Sequence, residues 1–342
     1  MPTPPAAPGD GDRRAALLAA KLGALVRDRW GDDLDREPST FPGGAALRSG
    51  AIGGGEVTGW VLLDEDPAHR LGRAVAWADQ QGVDDLHVLA EADADVLARR
   101  AAAFALPPTV WAVDGRNLTT AVAAPVHQVA PGPGDVDSLV ALLEAADVDV
   151  IVEHGELVGE ILGLEIARVV VDPERGPRLE VGVGRHDREA FAIIHGDLPA
   201  PEALASVVDS VRRHRRADAP AHPLNRLAAE RWLRRRVLDE PGLAGALALA
   251  PAEPTVRRDS VKDVAPAVAV GHDADGPVVV ACSTGIDLDL VPAAADAREA
   301  HAPGARLVLL VPERDAHPVT GRLAVALRDP AEVRTVPADW RG

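Results

Sequence analysis

The chain reads as an α/β protein: two parallel, Rossmann-like βαβαβ units bracket a central antiparallel β segment and two Arg-rich helices. Three observations predict this. Short apolar runs alternate with segments of helical period over residues 57–113 and again over 278–336. Residues 149–195 instead carry several strand-like runs with regularly spaced glutamates. The two outer regions also align on each other. At an offset of 222, Gly82 falls on Gly304, Glu91 on Glu313, Asp93 on Asp315 and Asp95 on His317, which reads as a pseudo-repeat.

Residues 1–12 are Pro-, Ala- and Gly-rich without a period and are expected to be a disordered tail. An N-terminal α/β unit is expected over 13–123. It opens with a helix that aligns Leu18, Leu22, Leu25 and Val26, followed by a Gly-rich loop with a short strand near Ala45–Arg48. Strands follow at Val57–Leu63, Leu86–Ala90 and Thr109–Val113. Between them lie a helix bearing Leu71, Ala74, Val75 and Ala78 and one bearing Leu97, Ala101 and Phe104. Residues 124–135 form a Pro/Gly linker. A middle region, 136–250, holds a helix around Val136–Ala146, the central strands, and helices over Pro201–Arg216 and from His222-Pro223 to about Leu238. A second linker covers 251–262. The C-terminal unit, 263–342, has strands at Val278–Cys282, Arg306–Val311 and Glu332–Val336, with helices near Pro292–His301 and Val319–Leu327.

Composition excludes some classes. A formal net charge of −17 argues against a surface that binds nucleic acid throughout, though not against a local basic patch. Cys282 is the only cysteine, which excludes an internal disulfide and a cysteine-based zinc site. No apolar run approaches the ~20 residues of a membrane span, and the first residues, MPTPPAAPGDGDRR, lack a signal-peptide pattern; a cytoplasmic protein with no membrane partner is expected. The scarcity of Tyr, Lys and Asn beside abundant Arg reflects a GC-rich genome.

Four groups of residues could carry chemistry. Asp64, Glu65 and Asp66 end one strand, and Glu91, Asp93 and Asp95 end the next; carboxylates converging at parallel strand ends can hold Mg²⁺. The same residue types also cap helix N-termini. The C-terminal counterpart is Asp287, Asp289, Glu313, Asp315 and His317. There His317 is a candidate base or ligand and Cys282 lies nearby. Leu288 stands where a cysteine-based phosphatase would carry its arginine, so that chemistry is not supported.

The third group lies in the centre. Leu179, Val181 and Val183 alternate with Glu180, Gly182 and Gly184, and His186-Asp187 follow. A helix followed by strands bearing Glu160, Glu165 and Glu180 resembles the restriction-endonuclease-like nucleases. The resemblance implies acidic residues on adjacent strands binding Mg²⁺ or Mn²⁺, and a Lys two residues after a Glu. Gly182 occupies that Lys position and Arg185 is the nearest cation, which cannot serve as a base. The fourth group is basic. Residues 211–236 hold nine arginines against Asp218 and Glu230. Arg212, Arg213, Arg215, Arg216, Arg231, Arg234 and Arg235 are candidates for holding a polyanion, with Trp232 placed to stack.

Two functions follow as expectations. One is a non-catalytic binding or scaffold protein, whose acids cap helices and whose arginines meet a protein partner. The other is a Mg²⁺-dependent phosphodiester or phosphoryl-transfer enzyme, nuclease-like, with a carboxylate metal site and the arginines on the polyanion. They part on whether Asp64, Glu65, Glu91 and Asp93, or Glu160, Glu165 and Glu180, converge on one point.

Overall fold

The structure, a computed structural model, describes residues 10–31, 36–50, 55–172, 174, 176–195, 199–219, 222–258 and 260–341. It is mixed α/β with three sheets. The chain divides into two compact units, Met1–Pro125 with Val325–Asp329, and Val126–Ala324 with Pro330–Gly342. Of the expected tail, residues 1–9 lie outside the described residues, and the first helix already begins at Asp10.

In the first unit, α1 (Asp10–Trp30) packs on a six-stranded sheet. Its strands are β1 (Arg36–Ser39), β2 (Gly44–Ser49), β3 (Thr58–Leu63), β4 (Asp85–Ala90), β5 (Thr109–Asp114) and β6 (Asn117–Thr120). Leu22, Leu25 and Val26 of α1 meet Trp60, Leu89 and Trp111 in one core. Helices α2 (Leu71–Gln81) and α3 (Ala94–Ala101) make the crossovers between β3, β4 and β5, which run parallel. The expected parallel unit is nevertheless a mixed sheet. β1, β2 and β6 add antiparallel, through hairpin connections that need no crossover.

The second unit contains the other two sheets. The helix α4 (Asp137–Ala145) precedes four antiparallel strands, β7 (Asp149–Glu153), β8 (Glu156–Ile161), β9 (Leu164–Asp172) and β10 (Gly176–Val181), in the order β10-β9-β8-β7. Side chains alternate across this sheet. Leu157, Ile161, Leu164, Val169 and Val181 lie on an apolar face against Leu143 of α4 and against Leu204, Val208 and Val211 of α6 (Ala200–His214). The opposite face carries Asp149, Glu153, Glu156, Glu160, Glu165 and Glu180, as the pairings Asp149↔Glu160, Glu153↔Glu156, Glu160↔Glu165 and Arg168↔Glu180 require.

A β-bulge between Gly159 and Glu160 shifts this register, so that Ile166 is the extra residue. Ile166 and Ala167 therefore both enter the apolar core, while Glu165 and Arg168 share the charged face. The alternation expected through Val183 stops earlier. The chain leaves β10 at Val181, and Gly182 (φ 143°) and Gly184 (φ 73°) turn it into α5 (Gly184–His195). A Cβ at Gly182 would lie 2.8 Å from the Arg188 backbone nitrogen. The bare face of Gly182 is thus covered by the chain's own next helix.

The third sheet has the order β11 (Ala248–Ala252), β12 (Ala267–His272), β13 (Pro277–Cys282), β14 (Arg306–Pro312), β15 (Glu332–Val336). Only β13, β14 and β15 are parallel; β11 and β12 are antiparallel additions inside the stretch expected to be a linker and its neighbour. Between the two sheets of this unit lies α7 (Ala229–Asp239). Its Trp232, Leu233 and Val237 enter the core formed by Val278, Val280, Cys282, Val308 and Leu310. Helix α8 (Leu290–His301) packs on β13 and β14, and α9 (Pro318–Val325) precedes β15. Among the described residues, no helix is long and apolar enough to cross a membrane.

Gly163 fixes where α7 sits. It follows Leu162 in the two-residue turn joining β8 to β9, both with positive φ (46° and 75°), as primed hairpin turns demand. A Cβ on Gly163 would lie 2.3 Å from the Arg231 carbonyl carbon and 2.5 Å from the Trp232 nitrogen, both backbone atoms of α7. Gly163→Ala is therefore expected to destabilise the second unit by about 2–4 kcal/mol, from backbone strain plus overpacking. Gly176→Ala also has positive φ, but open space, and should cost only about 1 kcal/mol. Urea denaturation of both variants tests this; equal losses would contradict it.

Candidate functional site

The charged face of the central sheet is where the predicted catalytic glutamates meet their partners. Arg231 and Arg234 sit three residues apart on α7 and so project from one side of it. Arg231 donates through Nη2 to Glu153 Oε2 and through Nη1 to Glu160 Oε1. Arg234 donates through Nη1 to Glu153 Oε1 and through Nη2 to Glu160 Oε2, the latter at 3.1 Å. Each guanidinium bridges both carboxylates and every carboxylate oxygen accepts once. All four residues are buried. Burial works to raise the Glu153 pKa, but the charges of Arg231 and Arg234 and the hydrogen bond from Arg234 outweigh it and hold the carboxyl below its ordinary value.

The remaining acids on this face are paired too. Glu165 accepts two hydrogen bonds from Arg168 (2.8 and 2.9 Å), whose approach the bulge permits, and a third from Arg188 of α5. Glu156 takes Arg168 and Arg257, Glu180 takes Arg178 at 2.7 Å, and Asp149 takes Arg235 at 2.8 Å. Asp187 Oδ2 accepts the Val183 backbone N–H at 2.8 Å, closing the turn into α5. The side chain of His186 lies outside the described residues.

The arginine cluster is placed by the same logic. Arg215 is 1% exposed and donates to the carbonyls of Ile161, Leu162, Leu224, Leu227 and Ala228, while its guanidinium lies 4.6 Å from the Trp232 ring centroid. Burial lowers its pKa to about 9, so it stays protonated at neutral pH. It binds the β8–β9 turn to the chain entering α7. Arg212 pairs with Asp147, Arg216 with Asp218, and Arg213 donates to the Asp209 carbonyl. The latter three face solvent.

The strand-end groups are dispersed. Arg14 holds Asp64 and lies 3.6 Å from Glu65, and Lys21 holds Glu91 at 2.7 Å. Asp93 stands at the N-cap of α3 with φ 56°. Asp315 accepts the Gly285 N–H at 2.8 Å, His317 Nδ1 accepts the Val319 N–H at the start of α9, and Glu313 is exposed. Cys282 is fully buried, which pushes its thiol up to about 12 and leaves it inert as a nucleophile. Among the described residues, one group of three His, Cys, Asp or Glu side chains brings ligand atoms within 4.8 Å of one another: His127, His154 and Glu253. None of the predicted metal or catalytic residues belongs to it.

Beside the charged face opens a cavity of about 1190 Å³. It is lined by Arg168, Arg185, Arg188, Arg231, Arg257, Arg258 and Lys262 against Glu165 and Asp187, with Ser206, Ser210 and Ser260 on its walls. Most of these cations already serve carboxylates. Arg258 and Lys262 have no carboxylate partner among the described residues, and Arg258 Nη1 is buried without a hydrogen-bond partner. Burial, together with the positive charge of Arg231, lowers the Arg258 pKa to about 10, against the pull of Glu153 and Glu160. It remains a cation at neutral pH, set beside a ring whose charges already cancel. Arg257, Arg258 and Lys262 lie in the segment expected to be a linker, and their signal in the sequence was only the pair Arg257-Arg258 in an acidic chain. Comparison with protein-family models, curated proteins and solved structures found no match.

The buried ring makes a prediction. Glu153 has a depressed folded-state pKa, so its contribution is fully present above the ordinary glutamate value and is lost as pH falls through the folded value. Glu153→Gln should cost about 3–5 kcal/mol at neutral pH, because it strands a buried guanidinium charge. The gap to wild type should narrow as the pH falls below the ordinary glutamate range, since the wild type then loses the same carboxylate. Denaturant titrations across that range check it; a gap independent of pH would contradict the assignment.

Proposed function

We propose that the protein is a non-catalytic binding protein whose ligand is a compact, multiply charged anion, seated in the cationic cavity of the second unit. The observation that carries this reading is Arg258, a guanidinium on the cavity wall whose Nη1 is buried without a hydrogen-bond partner and which has no carboxylate partner among the described residues. A buried unpaired charge is costly, and an anion entering the cavity would relieve that cost. The volume, about 1190 Å³, accommodates a nucleotide-sized molecule. Size matters because the chain's net charge of −17 repels a long polyanion at range while the cavity attracts locally. A compact ligand seated in the cavity meets less of that repulsion than a long one. The polyanion-binding role expected of Arg212, Arg213 and Arg216 gives way here to Arg258 and Lys262, with Arg231 the one expected arginine that lines the cavity.

Metal-dependent phosphodiester chemistry is the less supported reading. It asks Glu160, Glu165 and Glu180 to meet a divalent cation, and each already accepts hydrogen bonds from guanidinium groups. The outer sheets share an order in which an antiparallel strand precedes three parallel ones, which supports reading them as a pseudo-repeat. That order assigns neither of them the ligand.

Pyrophosphate and ATP, titrated without metal at low salt, are the probes. Both should raise the melting temperature of the full chain. Arg258→Met with Lys262→Gln should weaken binding at least about tenfold, a difference of roughly 1.4 kcal/mol. Affinity should fall with added salt. No stabilisation by either probe, or equal binding to the double variant, would overturn the proposal.

A further inference from the structure

We propose that His127, His154 and Glu253 form a binding site for one divalent transition-metal ion, of which zinc is the best chemical fit. This does not rest on the anion reading. The three residues come from the irregular segment just after the boundary of the first unit, from the turn between β7 and β8, and from the chain just after β11. Their ligand atoms lie within 4.8 Å of one another.

The carboxylate is the organising group. Glu253 is 2% exposed, and its Oε2 accepts the His154 backbone N–H at 2.6 Å. Its Oε1 is left facing both imidazoles. His154 Nδ1 lies 3.5 Å away, and His127 Nε2 is in hydrogen-bond contact. Zinc bonds of about 2.0–2.1 Å in tetrahedral geometry place neighbouring donors roughly 3.3 Å apart. The His154 separation already matches. His127 would move outward slightly, and its segment is held in neither helix nor strand. His301 Nε2 contacts the Glu253 carbonyl oxygen at 2.7 Å and fixes the backbone that carries the carboxylate.

Charge separates this group from its neighbours. Glu153, Glu160 and Glu165 are each buried against guanidinium groups. Among the described residues, Glu253 has no guanidinium or ammonium partner; its ion-pair contacts are the two imidazoles. The His154 Nε2 is buried without a hydrogen-bond partner among the described residues.

His154 has φ 53° in the two-residue turn between β7 and β8, a conformation in which its own N–H reaches the Glu253 carboxylate. Two imidazoles and one carboxylate, without thiolate, suit zinc and leave a fourth position for water. The bound ion would tie three connecting segments of the second unit together.

The test uses the full chain, freed of metal with a chelator and titrated with Co²⁺ and then Zn²⁺. One Co²⁺ per chain should bind with the visible absorption of a four- or five-coordinate ion, and Zn²⁺ should displace it. Glu253→Gln, His127→Ala and His154→Asn, the last chosen because Asn tolerates positive φ, should each weaken binding by more than about tenfold, at least the loss expected for an outer-shell partner. Replacing His214 and His222, stacked at 3.9 Å on the surface, should leave it unchanged. Circular dichroism identifies any variant that does not fold, and the other two then decide. Wild-type uptake no greater than that of Glu253→Gln would overturn the proposal, as would binding that survives all three folded variants and is lost with His214 and His222.

Discussion

The ring of Arg231, Arg234, Glu153 and Glu160 is the interaction on which the second unit depends. Taking four charges out of water costs several kcal/mol each, and mutual attraction repays that only when geometry is good and each hydrogen-bonding site is used. Here the two arginines are spaced by one helical turn and the two glutamates lie on neighbouring strands, so that four oxygens meet four donors. The same helix turns Trp232, Leu233 and Val237 toward the other sheet. α7 thus joins one sheet by charge and the next by apolar packing. A charged interface is sensitive to register, since a shifted helix would strand its arginines. Arg215 and Gly163 set that register, the first by clamping five carbonyls around the turn and the second by leaving room for the α7 backbone.

This arrangement gives the six acids of the central sheet a different fate from the one their spacing suggests. A row of carboxylates on one sheet face is what a divalent cation needs. In this chain guanidinium groups occupy those oxygens, from α7, from α5, from the sheet itself and from the segment after β11. The chemistry that remains open is at the edges of that network. On one side an excess of cations lines a cavity; on another, a buried carboxylate has, among the described residues, two histidines as its ion-pair contacts.

The sequence made the outer strands legible because they are apolar runs of five to seven residues closed by Gly, Pro or acidic residues. It did not reveal β1 or β11, which carry no β-branched residue and each contain a Pro, or β12, where two valines alternate with alanines before Gly271. The glutamates of the central face were legible as a set, yet their partners were not. Whether Glu160 meets a metal or Arg231, 71 residues away, is decided by tertiary packing. The bulge at Ile166 leaves no mark in residue type, and without it Arg168 would not share a face with Glu165. His127, His154 and Glu253 had no spacing to notice, since the histidines stand 126 and 99 residues from the glutamate.

The most direct test of this account is a double-mutant cycle between Glu160→Gln and Arg234→Met, read as unfolding free energies at neutral pH. The ring predicts a favourable coupling of about 2–3 kcal/mol, because each single change strands the other's buried charge and the double change strands less. A coupling near zero would mean that the four charges do not act together, and that α7 is held to the central sheet by something else.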